Sequence, residues 1–227
     1  VLATQTANLI GFWRLNETSG ATAVDSSPEA NNGAYTGVDL ANAAGPDGVL
    51  VPFFDGTNDY VNLYSAAFNT DFALAGAEGT LAIWIKVNAA AVWSDATFRN
   101  VVYIANGGTI TNGVEILKSS AANTVVVARE GADVREQVSI TLSATGWTHL
   151  ALTWSEAADQ MIAYLNGSQT GATQTTLGAY TGNLGSTTTN IGAKVTTPTN
   201  PWHGWLALPA VWKTPLTPAQ ILSLATV

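Results

Sequence analysis

The chain has 227 residues, of which 47% are hydrophobic and only 11% charged, against roughly 25% charged in average soluble proteins. A net charge of −8, with eight Lys and Arg spread along the chain, excludes nucleic-acid binding, which needs clustered cations. The absence of cysteine excludes disulfides and thiolate metal sites, and no apolar run approaches the ~18 residues of a membrane span.

Thr, Asn, Ser and Gly supply the polarity instead, a neutral surface that suits an extracellular or assembly protein. All-β sandwiches of this length form one domain, so residues 1–227 are read as a single unit. The acidity is lopsided: residues 1–71 hold eight carboxylates and one base, Arg14. The chain begins Val1-Leu2 with no methionine and no signal segment, so whatever preceded it is expected to have been removed.

In chain order, residues 8–15 (NLIGFWRL) read as a first strand, followed by a polar loop from Asn16 to Gly33 with a short strand at Ala21–Val24. Val49–Phe54 and Tyr60–Tyr64 flank the acidic turn Asp55–Asp59. Gly79–Val87 is the clearest strand of the first half, and shorter ones follow at Asn100–Ala105, Val114–Lys118, Thr124–Arg129 and Val134–Leu142. Trp147–Trp154 and Gln160–Leu165 alternate with period two and are rich in Thr, Trp, Tyr and Ile, as consecutive antiparallel strands are. The second run ends at Asn166-Gly167, the dipeptide that best supplies the positive φ angles of a two-residue hairpin. Ser168–Ala172, Thr187–Ile191 and Trp202–Trp212 finish the strands. Thr217-Pro218 then opens a short helix to about Leu224, as N-cap and first-turn proline. About a dozen short strands between turn signals predict an all-β, two-sheet antiparallel jelly-roll sandwich with a short C-terminal helix.

GFWRLNETSGATAVDSS, NNGAYTGV, FFDGTNDYVNL, GTLAIWIKV, GWTHLALTW, YLNGSQTG, NIGA and HGWLALPAVWKTPLTPAQI occur in an order that resembles the laminin G-like, concanavalin A-like lectin/glucanase jelly rolls. The microbial and phage-borne branch is the nearest in character, and the likeness runs from Gly11 to Leu224. It implies a calcium ion held by Asp25 with Asn31, Asn32 and the carbonyl of Gly33, all hard oxygen donors. The anionic ligand that relatives carry on the last strand is replaced here by Ala207. A loop held by its own hydrogen bonds is the competing expectation.

Catalytic chemistry is not expected. Glu130-x-x-Asp133-x-x-Glu136 has a spacing of three, which turns successive carboxylates to opposite faces of a strand, whereas a glycosidase needs two on one face. The expectation for it is a solvated hairpin tip. His149 and His203 have no triad in the sequence around them. Binding candidates are Trp93, Trp202 and Trp205, beside loops or polar residues, with Tyr35, Tyr64 and Tyr180 as contributors. The alternative is that most of the eight tryptophans fill the core. The expected role is a non-catalytic module on an extracellular or virion surface that contacts protein partners in an assembly, itself included as a homo-oligomer. A calcium-assisted carbohydrate-binding lectin is the alternative.

Overall fold

The computed structural model describes residues 5–226, and the Val1-Leu2 start lies outside them. Strands β1 (Leu9–Phe12), β2 (Thr22–Ala23), β3 (Gly33–Thr36), β4 (Asp39–Ala44), β5 (Leu50–Asp55) and β6 (Tyr60–Asn62) lead into helix α1 (Ala66–Ala75). β7 (Glu78–Val87), the single turn α2 (Ala91–Ser94), β8 (Arg99–Ala105), β9 (Gly113–Lys118), β10 (Thr124–Gly131) and β11 (Val134–Thr141) follow. β12 (Thr148–Ser155), β13 (Gln160–Leu165), β14 (Ser168–Gln174), β15 (Thr189–Ile191), β16 (His203–Trp212) and α3 (Pro218–Leu224) come last.

Two antiparallel sheets face each other. Sheet I runs β14-β13-β12-β7-β16-β5-β4, with β1 also paired to β16, and sheet II runs β11-β10-β9-β8-β15-β6-β3-β2. Strand alternation builds the core between them. Leu150, Leu152 and Trp154 of β12 meet Val114 and Ile116 of β9 and Val125 and Val127 of β10 in one buried cluster. The opposite parity of β12 sends Ala151 outward, where it joins Tyr164, Trp212, Ile221 and Leu224 beneath α3. That helix starts as the sequence predicts: Thr217 Oγ1 accepts from Gln220 N (3.3 Å), and Thr217 N donates to Gln220 Oε1 (2.8 Å).

The predicted hairpin turn has φ of 48° at Asn166 and 83° at Gly167, and pairs Leu165 with Ser168. Ala132 and Asp133 (φ 46° and 63°) make an equivalent tip between β10 and β11.

Four elements are additions to the sequence reading. α1 is capped by Ser65, whose Oγ accepts from Phe68 N at 2.9 Å, and it buries Phe68 and Phe72 fully, with Trp13 edge-on at 5.6 Å. Its polar residues had masked the four-residue spacing of the two phenylalanines. β3 and β4 lie in a stretch too rich in Ala, Gly and Asn to stand out as strands, and α2 is a single turn. Trp147 Nε1 donates to Ala44 O (3.1 Å), and Trp205 Nε1 to Asn42 Oδ1 (3.0 Å). Because β4 is four strands from β12 in sheet I, these bonds require the β4–β5 hairpin to bend over the outer face of that sheet.

Candidate ligand-binding groove

The face of sheet II turned away from the core carries a connected polar network. Since Val114 and Ile116 point inward, Glu115 and Leu117 point out. The register sets Glu115 opposite Tyr103 of β8, and Glu130 opposite Arg135. Arg135 lies between two carboxylates: its Nη2 is 2.5 Å from Glu115 Oε1 and its Nη1 is 3.2 Å from Glu130 Oε2. Asn100 Nδ2 donates to Glu115 Oε2 (3.2 Å), and Asn200 Nδ2 donates to Asn100 Oδ1 (3.3 Å).

Above this floor lies an open groove of about 310 Å³, with Phe98 on one rim and Lys194 and Asn200 on another. The volume is at the lower end of the range for small-molecule sites. Phe98 is 46% exposed, and the Lys194 ammonium lies 5.4 Å from the centre of the Tyr103 ring.

The Phe98 rim is anchored by an internal ion cluster. Lys118, fully buried, donates from Nζ to Asp95 O, to Asp95 Oδ1 (2.6 Å) and to Thr97 O (3.0 Å). Arg99 pairs with the same carboxylate (2.9 Å) and donates to Pro201 O (3.0 Å), which links the Phe98 and Asn200 rims. Burial opposes the charge on Asp95, but the bonds from Lys118 and Arg99 outweigh it and hold its carboxyl below the usual range.

The two carboxylates of the floor share one cation. Burial pushes the Glu130 carboxyl up, Arg135 pulls it back, and Glu115 and Asp133 add a smaller upward push. Hydrolysis of a glycosidic bond needs one free carboxylate and one proton-donating partner, and here a single guanidinium holds both. The expectation of a solvated tip is corrected for Glu130, which is 8% exposed and paired, while Asp133 does form the exposed tip. Glu136 lies opposite Arg129, on the other face of the sheet from Glu130; a continuous strand would put these two on one face, six residues apart, and the turn at Ala132 and Asp133 separates them.

The tryptophan candidates fall elsewhere. Trp93 and Trp202 are 2% and 0% exposed and pack edge-on at 6.3 Å, so neither offers a ring face to a ligand. This corrects the expectation for both; adjacency to loops misled because α2 tucks Trp93 inward. Trp205 is half-buried, with Phe53 at 5.1 Å and the Lys86 ammonium at 4.9 Å, and its indole N–H is used by Asn42. It pins the β4–β5 hairpin. Tyr35 is buried against Glu17, while Tyr64 and Tyr180 pack on the core. His149 is buried with its ring edge-on to Trp84, and burial lowers its pKa to about 4. His203 meets Asn88 at 2.9 Å.

The Asp25 loop does not fit calcium. Oδ1 accepts from Phe12 N (2.7 Å) and Ser27 N (2.8 Å), and Oδ2 from Ser27 Oγ (2.6 Å) and Asn31 N (2.6 Å). A carboxylate has about four acceptor positions, and all are taken by hydrogen donors. Asn31 turns its NH₂ to Ile10 O and Asp71, and Asn32 Oδ1 accepts from Asp25 N. Gly33 lies in β3, and Ala207 is fully buried. Among the described residues no three His, Cys, Asp or Glu side chains are grouped to hold a metal.

The groove residues were hard to see in the sequence. Glu115 carried a signal, as the one acid inside an otherwise apolar run, and the hairpin tip sets Arg135 beside Glu130. Phe98, Lys194 and Asn200 come from loops whose approach depends on the tertiary fold.

The sequence pattern of the concanavalin A-like lectin/glucanases superfamily matches residues 54–222. The chain belongs to that superfamily. This superfamily member is similar in fold to the receptor binding domain of botulinum neurotoxin C/D mosaic serotype (TM-score 0.73, 11% identity, 97% of this chain and 51% of that one). It is also similar to a botulinum neurotoxin type C structure described as entering cells through interaction with two ganglioside molecules (TM-score 0.71, 14% identity, 99% and 52%). A third is the binding domain of botulinum neurotoxin DC in complex with SialylT (TM-score 0.67, 13% identity, 97% and 51%). The chain spans about half the length of each. No curated protein matches it. Among the described residues no helix is long and apolar enough to cross a membrane.

Proposed function

We propose that the chain is a non-catalytic recognition module that works outside cells and holds a sugar residue in the sheet II groove. The observation that carries this reading is the network Asn200–Asn100–Glu115–Arg135 beneath an exposed Phe98. Oriented amides and charges that hydrogen-bond hydroxyls, beside an aromatic face, are the chemistry a sugar ring requires. Arg135 keeps the carboxylates engaged, which supports binding over hydrolysis. Calcium plays no part in it. A glycan array probed with the wild type and with Phe98→Ala tests the reading: specific signals lost in the variant support it, and a flat wild-type array contradicts it.

A second reading, protein contact in a surface or virion assembly of the phage type, is favoured by the tip of the β4–β5 hairpin. Val49 and Leu50 there are 41% and 47% exposed, side by side. It predicts concentration-dependent self-association in sedimentation, reduced by Leu50→Glu; a strict monomer at high concentration speaks against a homo-oligomer.

A further inference from the structure

The charges around the groove sum to zero but are not evenly placed. Glu115 and Glu130 have side chains only 9% and 11% exposed, whereas Arg135 is 30% exposed. The carboxylates therefore lie at the back, already engaged by Arg135 and, for Glu115, by Asn100. Lys194 also lines the groove and is half-buried. Among the described residues it has no carboxylate partner, and its ammonium is held only against the Tyr103 ring. Its backbone is fixed: Lys194 N donates to Thr199 O (3.0 Å), and Asn190 Nδ2 donates to Lys194 O (3.4 Å). In a chain of charge −8, the more exposed charges of this groove are thus cations.

We infer that the groove selects a saccharide bearing a carboxylate, with that carboxylate meeting Lys194 and the outer edge of Arg135 while the sugar ring lies on Phe98. The inference rests on the groove being the recognition site, and it adds the ligand class. Arg135 gives Nε to Gln137 Oε1 (3.0 Å) and one hydrogen from each Nη to Glu115 and Glu130, so one N–H on each Nη is left. A carboxylate between these and a lysine makes charge-assisted hydrogen bonds, about twice as strong as neutral ones. A neutral sugar leaves Lys194 without a partner. The negative groups behind are screened from the ligand by Arg135, so they set the guanidinium's orientation more than they repel an incoming anion.

Calorimetric titration of the chain with 3′-sialyllactose and with lactose, which differ by the carboxylated sugar, tests this. Wild type, Lys194→Gln and Phe98→Ala are compared at low and high salt, after melting curves establish that each variant is folded. The expected result is about tenfold tighter binding of 3′-sialyllactose, the change one charge-assisted hydrogen bond supplies. High salt shrinks that preference, Lys194→Gln removes it, and Phe98→Ala weakens both sugars. Equal binding of the two sugars, or a preference that survives Lys194→Gln, overturns the inference and leaves the groove as a neutral-sugar site. Binding of neither sugar overturns the groove reading and this inference with it.

Discussion

Replacing Asp25 by alanine separates a loop held by hydrogen bonds from one held by metal. The substitution removes four accepted bonds and strands the backbone N–H groups of Phe12, Ser27 and Asn31, residues exposed by only 5%, 8% and 2%. At about 1 kcal/mol for each stranded donor, the low end because a loop can admit water, the loss is about 3 kcal/mol. For a chain of this length that lowers Tm by roughly 6–12 °C. Asp25→Asn keeps one oxygen for Phe12 and Ser27 but turns an NH₂ toward the Asn31 N–H, so about half the loss is expected. Differential scanning calorimetry of the three proteins, each with calcium and with chelator, reads the result. A folded-state ligand raises Tm, and the hydrogen-bonded loop predicts none from calcium. A wild-type Tm that rises with calcium, together with a small loss for Asp25→Ala in chelator, would refute the reasoning.

Other consequences follow from the buried groups. His149 is neutral in the fold, with a pKa near 4 against 6.5 when unfolded, so the unfolded chain takes up its proton first as pH falls. Its share of stability is complete above about pH 6.5 and is lost towards pH 4, about 3 kcal/mol in all; urea unfolding at several pH values measures the slope, which His149→Gln flattens. Lys118→Met strands the carbonyls of Asp95 and Thr97 and costs about 3 kcal/mol, the low end for breaking a buried pair because Arg99 still serves Asp95; chemical denaturation checks it. Gly167→Ala places a Cβ 2.9 Å from Leu222 Cα at φ 83°, so a loss of about 2 kcal/mol is expected from left-handed strain and displaced α3 contacts; thermal melting measures it.

The parts of the fold set by local chemistry were legible in the sequence. Period-two alternation located β12 and β13, and set Leu150, Leu152 and Trp154 on one face and Ala151 on the other; the structure makes the first the core face. Asn166-Gly167 gave its hairpin and Thr217-Pro218 its helix start. β4 was not legible, because what holds it is distant: Trp147 and Trp205 bond to Ala44 and Asn42 across the sheet. The site divides in the same way. Asp25 was recognisable as an organising carboxylate, but whether its oxygens serve metal or N–H donors depends on where Phe12 and Asn31 come to rest. Trp93 and Trp202 beside polar neighbours looked available, and packing between the sheets closed them. Phe98 and Lys194 are 96 residues apart in the chain, counting from their positions in the sequence, and only the register of β8 with β9 and β15 brings their loops to one groove.

The most direct test of the recognition groove is an NMR titration of the backbone-assigned chain with lactose and 3′-sialyllactose. The groove predicts shifts confined to Phe98, Asn100, Glu115, Arg135, Lys194 and Asn200, larger for the acidic sugar at Lys194. Shifts centred on the Asp25 loop or on Trp205, or none with either sugar, would contradict it.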